Sequence, residues 1–149
     1  SLTSFDTNYK VSPPLRTQED VNVLIAGLKD GTIDMVTSDH NPLDIELKKI
    51  EFDYATPGTI GLESAFSALN SIFSAKTAVK FLTKGKERFG LEVLNINKGN
   101  KLNITLFNPD GNYTFSKNDI LSKSKNSIFE GHSLKGKVYG IINNNQIQL

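Results

Sequence analysis

No cysteine occurs in the 149 residues. That absence excludes a disulfide framework and a thiolate metal site, and it fits a reducing, cytoplasmic setting. Long apolar runs are missing too. Nothing approaches the ~18 consecutive apolar residues of a membrane span. An excess of either charge is also lacking: Lys+Arg number 17 and Asp+Glu 16, for a net charge of +1. So even a balance gives no electrostatic case for nucleic acid or an anionic membrane as partner. Lys84, Lys86 and Arg88 share their segment with Glu87 and read as a solvated helix end. Histidine is scarce. His40 and His132 are the only two, and their spacing does not make them a ligand pair. The opening residues, Ser1 to Asp6, carry neither the basic nor the apolar stretch of a secretion signal. With no initial Met, the chain is expected to be processed or cut from a longer one.

What is present is a modest core, 38% apolar with 9 Phe and 4 Tyr. Residues 5–16 read as extended, because Pro13 and Pro14 disfavour a helix. Thr17 is a good N-cap, and Glu19 and Asp20 put negative charge in the first turn that follows. Val21, Leu24, Ile25 and Leu28 then keep i, i+3, i+4, i+7 spacing up to Gly31, a C′ glycine. Thr32 to Ser38 is short and mostly β-branched or apolar, which predicts a buried parallel strand. Residues 41–61 form a long connection with room for a helical turn near 44–49, and loops of that length are often functional. Leu62 to Phe73 is expected to be helical, with Leu62, Ala65, Phe66, Leu69 and Phe73 as a core stripe. Ser74 caps a further helix that runs out near Phe89 and Gly90.

Beyond residue 95 the helical periodicity stops. Asn97 to Asn100 reads as a turn. Asn103 to Phe107 alternates like a strand, closed by a turn at Asn108-Pro109-Asp110-Gly111. Val138 to Ile142 and Gln146 to Leu149 flank Asn143-Asn144-Asn145 as a hairpin, and Ser122 to Ser127 is a polar loop. The division is therefore residues 1–95, α/β, and residues 96–149, mostly β. One buried parallel strand cannot make a sheet alone, because its backbone groups would lack partners.

Asp39 and His40 follow the expected strand, at the end where β/α architectures build their sites. A carboxylate there can bind a metal or move a proton. Asp-His-Asn-Pro is equally a turn sequence, with Asp39 capping and His40 half-exposed, and local features by themselves favour the turn. Arg16 reads as an ion-pair partner or as a ligand contact. No partner for His132 is evident.

The wider order of motifs adds to this. Asn8-Tyr9-Lys10-Val11 runs into Ser12-Pro13-Pro14-Leu15-Arg16. Thr37-Ser38-Asp39-His40-Asn41-Pro42 follows a capped helix, and Gly58-Thr59-Ile60-Gly61-Leu62-Glu63 comes later. The tail carries Leu106-Phe107-Asn108-Pro109, Ser122-Lys123-Ser124-Lys125-Asn126-Ser127 with Phe129-Glu130-Gly131, and Leu134-Lys135-Gly136-Lys137-Val138. In this succession the chain resembles the last part of the dihydroorotase family of amidohydrolases, over nearly its whole length.

The resemblance implies the C-terminal part of a (β/α)₈ TIM-type barrel in residues 1–95 and a small β subdomain in residues 96–149. A complete barrel needs ~250 residues, so the N-terminal part of the barrel is implied as a partner, and oligomerisation is expected where apolar surface is left open. The implied chemistry is zinc-dependent, with one or two ions, and interconverts carbamoyl-aspartate and dihydroorotate in pyrimidine biosynthesis. Asp39 matches the family's metal-binding aspartate and proton carrier. Ser12 stands where an Asn usually holds substrate, and Pro57-Gly58 corresponds to a backbone segment that touches substrate, where Phe-Gly is common. Leu43 stands where the family usually has His, and it cannot replace an imidazole. The family's other metal ligands have no counterpart in this chain, which is expected to be inactive by itself. Two other readings stay open: a catalytically inactive structural subunit, for example of a carbamoyltransferase, and a hydantoinase- or allantoinase-type hydrolase.

Overall fold

The computed structural model describes residues 5–93, 95–144 and 146–149. Ser1 to Ser4 and Asn145, on which the reading of the N-terminus and of the hairpin turn partly fell, lie outside the described residues. The fold is a set of helices and one three-stranded sheet, divided into two compact units. One comprises Ser1–Ala65 with Thr114–His132, the other Phe66–Tyr113 with Ser133–Leu149. Each unit is thus built from two stretches of chain and does not follow a single cut at residue 95.

In the first unit, α1 spans Gln18–Asp30. Thr17 accepts from the Asp20 amide and Asp20 accepts from the Thr17 amide, a reciprocal capping box that satisfies two otherwise orphaned donors. Gly31 ends the helix at φ 89°, a left-handed conformation that glycine adopts without Cβ strain. Arg16 proves to be an exposed ion-pair partner of Asp20, at 3.2 Å. The apolar stripe of α1 is not buried: no residue of this helix is, and Leu24 is 50% exposed.

The expected strand at 32–38 does not form. The Ile33 amide bonds back to the Gly27 carbonyl at 2.9 Å, and the residues after it make no ladder. A strand needs a neighbour's amides and carbonyls, and among the described residues no strand lies alongside. The segment 5–16 holds a 3₁₀ turn at Thr7–Tyr9, capped by Asp6. A second 3₁₀ turn, Ile45–Leu47, forms inside the predicted helical stretch near 44–49. Ile60 and Phe115, each 1% exposed, and Ile120, 4% exposed, supply the apolar core of this unit.

The second unit packs three helices and the sheet. α2 is Ala65–Asn70, shorter than the predicted Leu62–Phe73, and Leu62 lies outside it, 65% exposed. α3, Ala75–Thr83, starts at the Ser74 cap, and α4 is Gly85–Arg88. The strands β1 (Asn103–Thr114), β2 (Ser133–Asn143) and β3 (Gln146–Gln148) pair in that order. β2 and β3 are antiparallel, with Ile142 opposite Ile147, as the hairpin reading predicts.

The turn expected at 108–111 is instead part of β1. Asn108 accepts the Asp110 amide at 2.9 Å and Gly111 takes φ 83°, so the strand absorbs the irregularity and continues. Two buried polar residues of α2 fasten this helix to the sheet. Ser67 donates to the Gly136 carbonyl at 2.6 Å, and Asn70 donates to the carbonyls of Pro109 and Lys135 at 2.8 and 3.0 Å. The Phe66 and Phe107 rings stack at 4.6 Å between centroids.

Candidate active site

The segment 38–43 is held by two others, 57–63 and 122–126, all within the first unit. Asp39 is exposed and sits at φ 43°. A left-handed backbone costs a non-glycine residue roughly 1–2 kcal/mol, less for Asp and Asn than for bulkier residues. Neighbouring contacts therefore have to hold it. On one side, the Asn41 amide donates to the Thr59 carbonyl at 2.8 Å. On the other, Gly61 lies so close that a Cβ there would be 2.5 Å from the Ser38 carbonyl oxygen. Between them the His40 ring accepts both the Gly61 and Leu62 amides on Nδ1, each at 3.2 Å.

Asn126, 6% exposed, joins the three segments. Its amide nitrogen donates to the Asn41 carbonyl at 3.1 Å and the Gly58 carbonyl at 3.3 Å. Its amide oxygen accepts from the Leu43 amide at 3.2 Å and the Ser124 hydroxyl at 2.7 Å. The Ser124 hydroxyl also contacts the Leu43 carbonyl. The side chain thus fills its two donor and two acceptor capacities.

Of the residues singled out in the sequence, Gly58 is joined through Asn126 to Asn41, two residues after Asp39. Gly58 is buried, and a Cβ on it would meet Asn41 Nδ2 at 2.8 Å and Leu43 Cδ1 at 3.1 Å. Its amide donates to the Lys10 carbonyl at 2.9 Å, which carries the 10–12 segment to the same place. Ser12 and Pro57 are exposed and are not hydrogen-bonded to Asp39. Lys48 fastens the Thr7–Lys10 segment: its ammonium donates to both of those carbonyls, at 2.9 and 3.0 Å. Burial, aided by Lys10 and opposed by Asp6, pushes that ammonium below the usual lysine range.

Sequence reasoning missed the partners of the two histidines. His132 Nε2 is 2.8 Å from the Tyr9 hydroxyl, and its ring meets Tyr9 and Phe129 edge-on. His40 Nε2 is 3.1 Å from Ser122 Oγ. Ser122 in turn donates its hydroxyl and its amide to Glu63 Oε1, at 2.6 and 2.8 Å. Burial works to raise the Glu63 carboxyl, but the two Ser122 hydrogen bonds prevail and hold it below the ordinary range. Glu63 Oε2 is buried, without a hydrogen-bond partner among the described residues, 3.8 Å from His40 Nδ1. Glu63 stood in a quoted motif, but 59 residues separate it from Ser122, and no local pattern signals such a pair.

The trio is not a nucleophilic triad. A serine nucleophile needs an imidazole nitrogen free to take its proton. Here Nδ1 is occupied by two amide donors, so the neutral ring carries its proton on Nε2, and the Ser122 proton faces Glu63.

A metal centre is not assembled by these residues. Among the described residues no group of three or more His, Cys, Asp or Glu is placed to hold an ion. Asp39 offers a single carboxylate, and both ring nitrogens of His40 are engaged. The zinc expected from the family resemblance therefore does not fit this donor set by itself. A cavity of about 810 Å³ opens on the Leu43 side, lined among others by Leu43, Lys48, Lys117, Ser124 and Asn126, while Asp39 is not part of its wall.

Solved structures with the same fold give the class. The chain superimposes on the dihydropyrimidinase from Brevibacillus agri with a TM-score of 0.75 and 25% identity, over 95% of this chain and 33% of that one. The D-hydantoinase (dihydropyrimidinase) from Thermus sp. gives 0.73 and 25%, with 95% and 33% covered. Both are amidohydrolases. No family model matches the chain. In sequence the chain is similar to dihydroorotases. The dihydroorotase of Caldanaerobacter subterraneus subsp. tengcongensis is 42% identical over 97% of this chain. That of Bacillus subtilis is 40% identical over 91%. The chain spans only about a third of these relatives' lengths, 35% and 33%.

Proposed function

We propose that the chain is the C-terminal segment of a cyclic-amide hydrolase of dihydroorotase type, in which Asp39 carries the proton between the attacking water and the leaving amide nitrogen. The supporting observation is the left-handed Asp39, flanked by His40, whose ring accepts the Gly61 and Leu62 amides, and by Asn41, which packs on Gly58. The similarity to dihydroorotases supports the reading that the reaction is reversible closure of carbamoyl-aspartate to dihydroorotate, a step of pyrimidine biosynthesis in the cytoplasm. In the whole protein, residues 1–95 would end a (β/α)₈ barrel and residues 96–149 form the β subdomain. The N-terminal barrel part would supply the remaining zinc ligands, and Ser12, Pro57 and Gly58 would line the substrate. Asp39 would give the metal one carboxylate.

The 149-residue chain should not hydrolyse dihydroorotate, followed by ultraviolet absorbance. Hydrolysis by the purified chain, lost in Asp39→Ala, would overturn its inactivity. In the full-length protein, Asp39→Ala should lower kcat by ~10²-fold or more, the scale of general acid–base catalysis. Unchanged kcat would remove Asp39 from the chemistry.

A second reading, a hydantoin or dihydropyrimidine as substrate, is favoured by the dihydropyrimidinase neighbours and by the apolar Leu43 against Gly58. A substrate panel on the full-length protein separates the two.

A further inference from the structure

We infer that His40 is a positioning residue: its ring, fixed in one tautomer by Ser122 and Glu63, holds the backbone of Asp39 and so aims its carboxylate. The inference rests on the proposed role of Asp39 and extends it to three side chains that the family resemblance did not assign.

The polarity of the network can be read one bond at a time. The amides of Gly61 and Leu62 both point at Nδ1, at 3.2 Å. Two N–H donors cannot share a nitrogen that itself bears a proton, so Nδ1 is the bare nitrogen and Nε2 carries the hydrogen. Nε2 then donates to Ser122 Oγ at 3.1 Å, and that hydroxyl donates to Glu63 Oε1 at 2.6 Å. The Ser122 amide binds the same carboxylate oxygen at 2.8 Å, which fixes the serine as well as its proton. Every donor points toward Glu63, and the chain of bonds has only one direction.

His40 is the residue directly after Asp39, so the ring acts on it through one peptide unit. The ring is clamped at both nitrogens, and the backbone on either side of Asp39 is pinned: Asn41 to Thr59 at 2.8 Å, and Ser38 against Gly61, where even a methyl group would not fit. With the ring removed, the Gly61 and Leu62 amides lose their acceptor, and Asp39 at φ 43° keeps only the backbone contacts of Ser38 and Asn41. The carboxylate would then swing as the backbone relaxes. Among the described residues the Asp39 side chain has no hydrogen-bond partner, so its aim depends on its backbone.

Two measurements test this. The first uses the 149-residue chain with ¹⁵N-labelled histidine, the two imidazoles being assigned with His132→Gln. His40 should show an unprotonated, pyridine-type Nδ1 and a protonated, pyrrole-type Nε2, and Ser122→Ala should move it toward the mixed tautomers of free imidazole. An Nδ1–H ring, or tautomer averaging in the unaltered chain, overturns the inference. The second uses kinetics of the full-length protein. His40→Ala should lower kcat by ~10- to 100-fold, as for outer residues that orient a reactive group, with KM changed by less than about threefold. His40→Asn, whose amide oxygen can replace Nδ1 as acceptor, should recover most of the loss. If Asp39→Ala abolishes turnover while His40→Ala leaves kcat unchanged, the positioning role falls and the functional reading stands. If Asp39→Ala leaves turnover intact, the functional reading falls, and the positioning role falls with it even where the tautomer is as expected.

Discussion

At the scale of single residues, the contacts that matter most come from amides and carbonyls rather than from charge. Asn126 is the clearest case, since Asn41, Leu43 and Gly58 all depend on its one side chain. Asn126→Leu leaves buried donors and acceptors unpaired at about 1–3 kcal/mol each. It is therefore expected to lower stability by about 2–4 kcal/mol in urea unfolding, while Asn126→Ala should do little better. Gly61→Ala places a methyl against the Ser38 carbonyl, which is backbone and cannot yield. Glu63 predicts a pH dependence. Its folded carboxyl is held below the unfolded value of 4.5, so its contribution is present above that value and is lost as pH falls through the lower, folded one. Glu63→Gln should flatten that acid limb in unfolding curves recorded between about pH 5 and 2. The sequence made Asp39 legible because an acidic residue in an ordered succession of motifs is a local signal. Asn126 was legible as part of a polar loop and of a tail motif but not in its role, because the carbonyls it binds lie 68 and 85 residues away.

At the scale of elements, capping chemistry was readable and pairing was not. Thr17, Gly31 and Ser74 act where predicted, because a cap depends on residues three or four positions away. The stretch 32–38 has the composition of a strand, but strand formation belongs to the partner as much as to the segment. The prolonged β1 shows the converse. A neighbouring strand and one α2 hydrogen bond, from Asn70 to the Pro109 carbonyl, carry it through Asn108-Pro109-Asp110-Gly111, a sequence that in isolation reads as a turn. Gly136 in β2 is the sharpest test of this unit. At φ 79°, a Cβ would lie 2.7 Å from Asn70 Nδ2 and 2.9 Å from the Asn108 carbonyl. Gly136→Ala should therefore cost more than about 1 kcal/mol, measured by chemical denaturation.

At the scale of the whole molecule, apolar surface is the main unresolved demand. Val23 and Leu24 on α1 are 66% and 50% exposed, and Ile96 and Leu121 are 77% and 89% exposed. Exposed apolar surface of this extent drives association. The isolated chain is expected to bind a hydrophobic dye and to scatter light as more than a monomer, and a monodisperse monomer would contradict this. No described helix is long and apolar enough to cross a membrane.

The 122–126 segment has a consequence for time as well as space. A ribosome delivers Asp39 and its Gly58–Glu63 support early, but Ser122 and Asn126 only after some sixty further residues, 59 separating Glu63 from Ser122. Until then the amide partners of Asn41, Leu43 and Gly58 are missing, and Glu63 has no serine to bind. A nascent chain stalled before residue 122 should leave the Asp39 loop open to protease, and one that includes residue 132 should protect it. The loop that would bear the chemistry is thus among the last parts of this unit to become ordered during synthesis, which proceeds at about 5–20 residues per second.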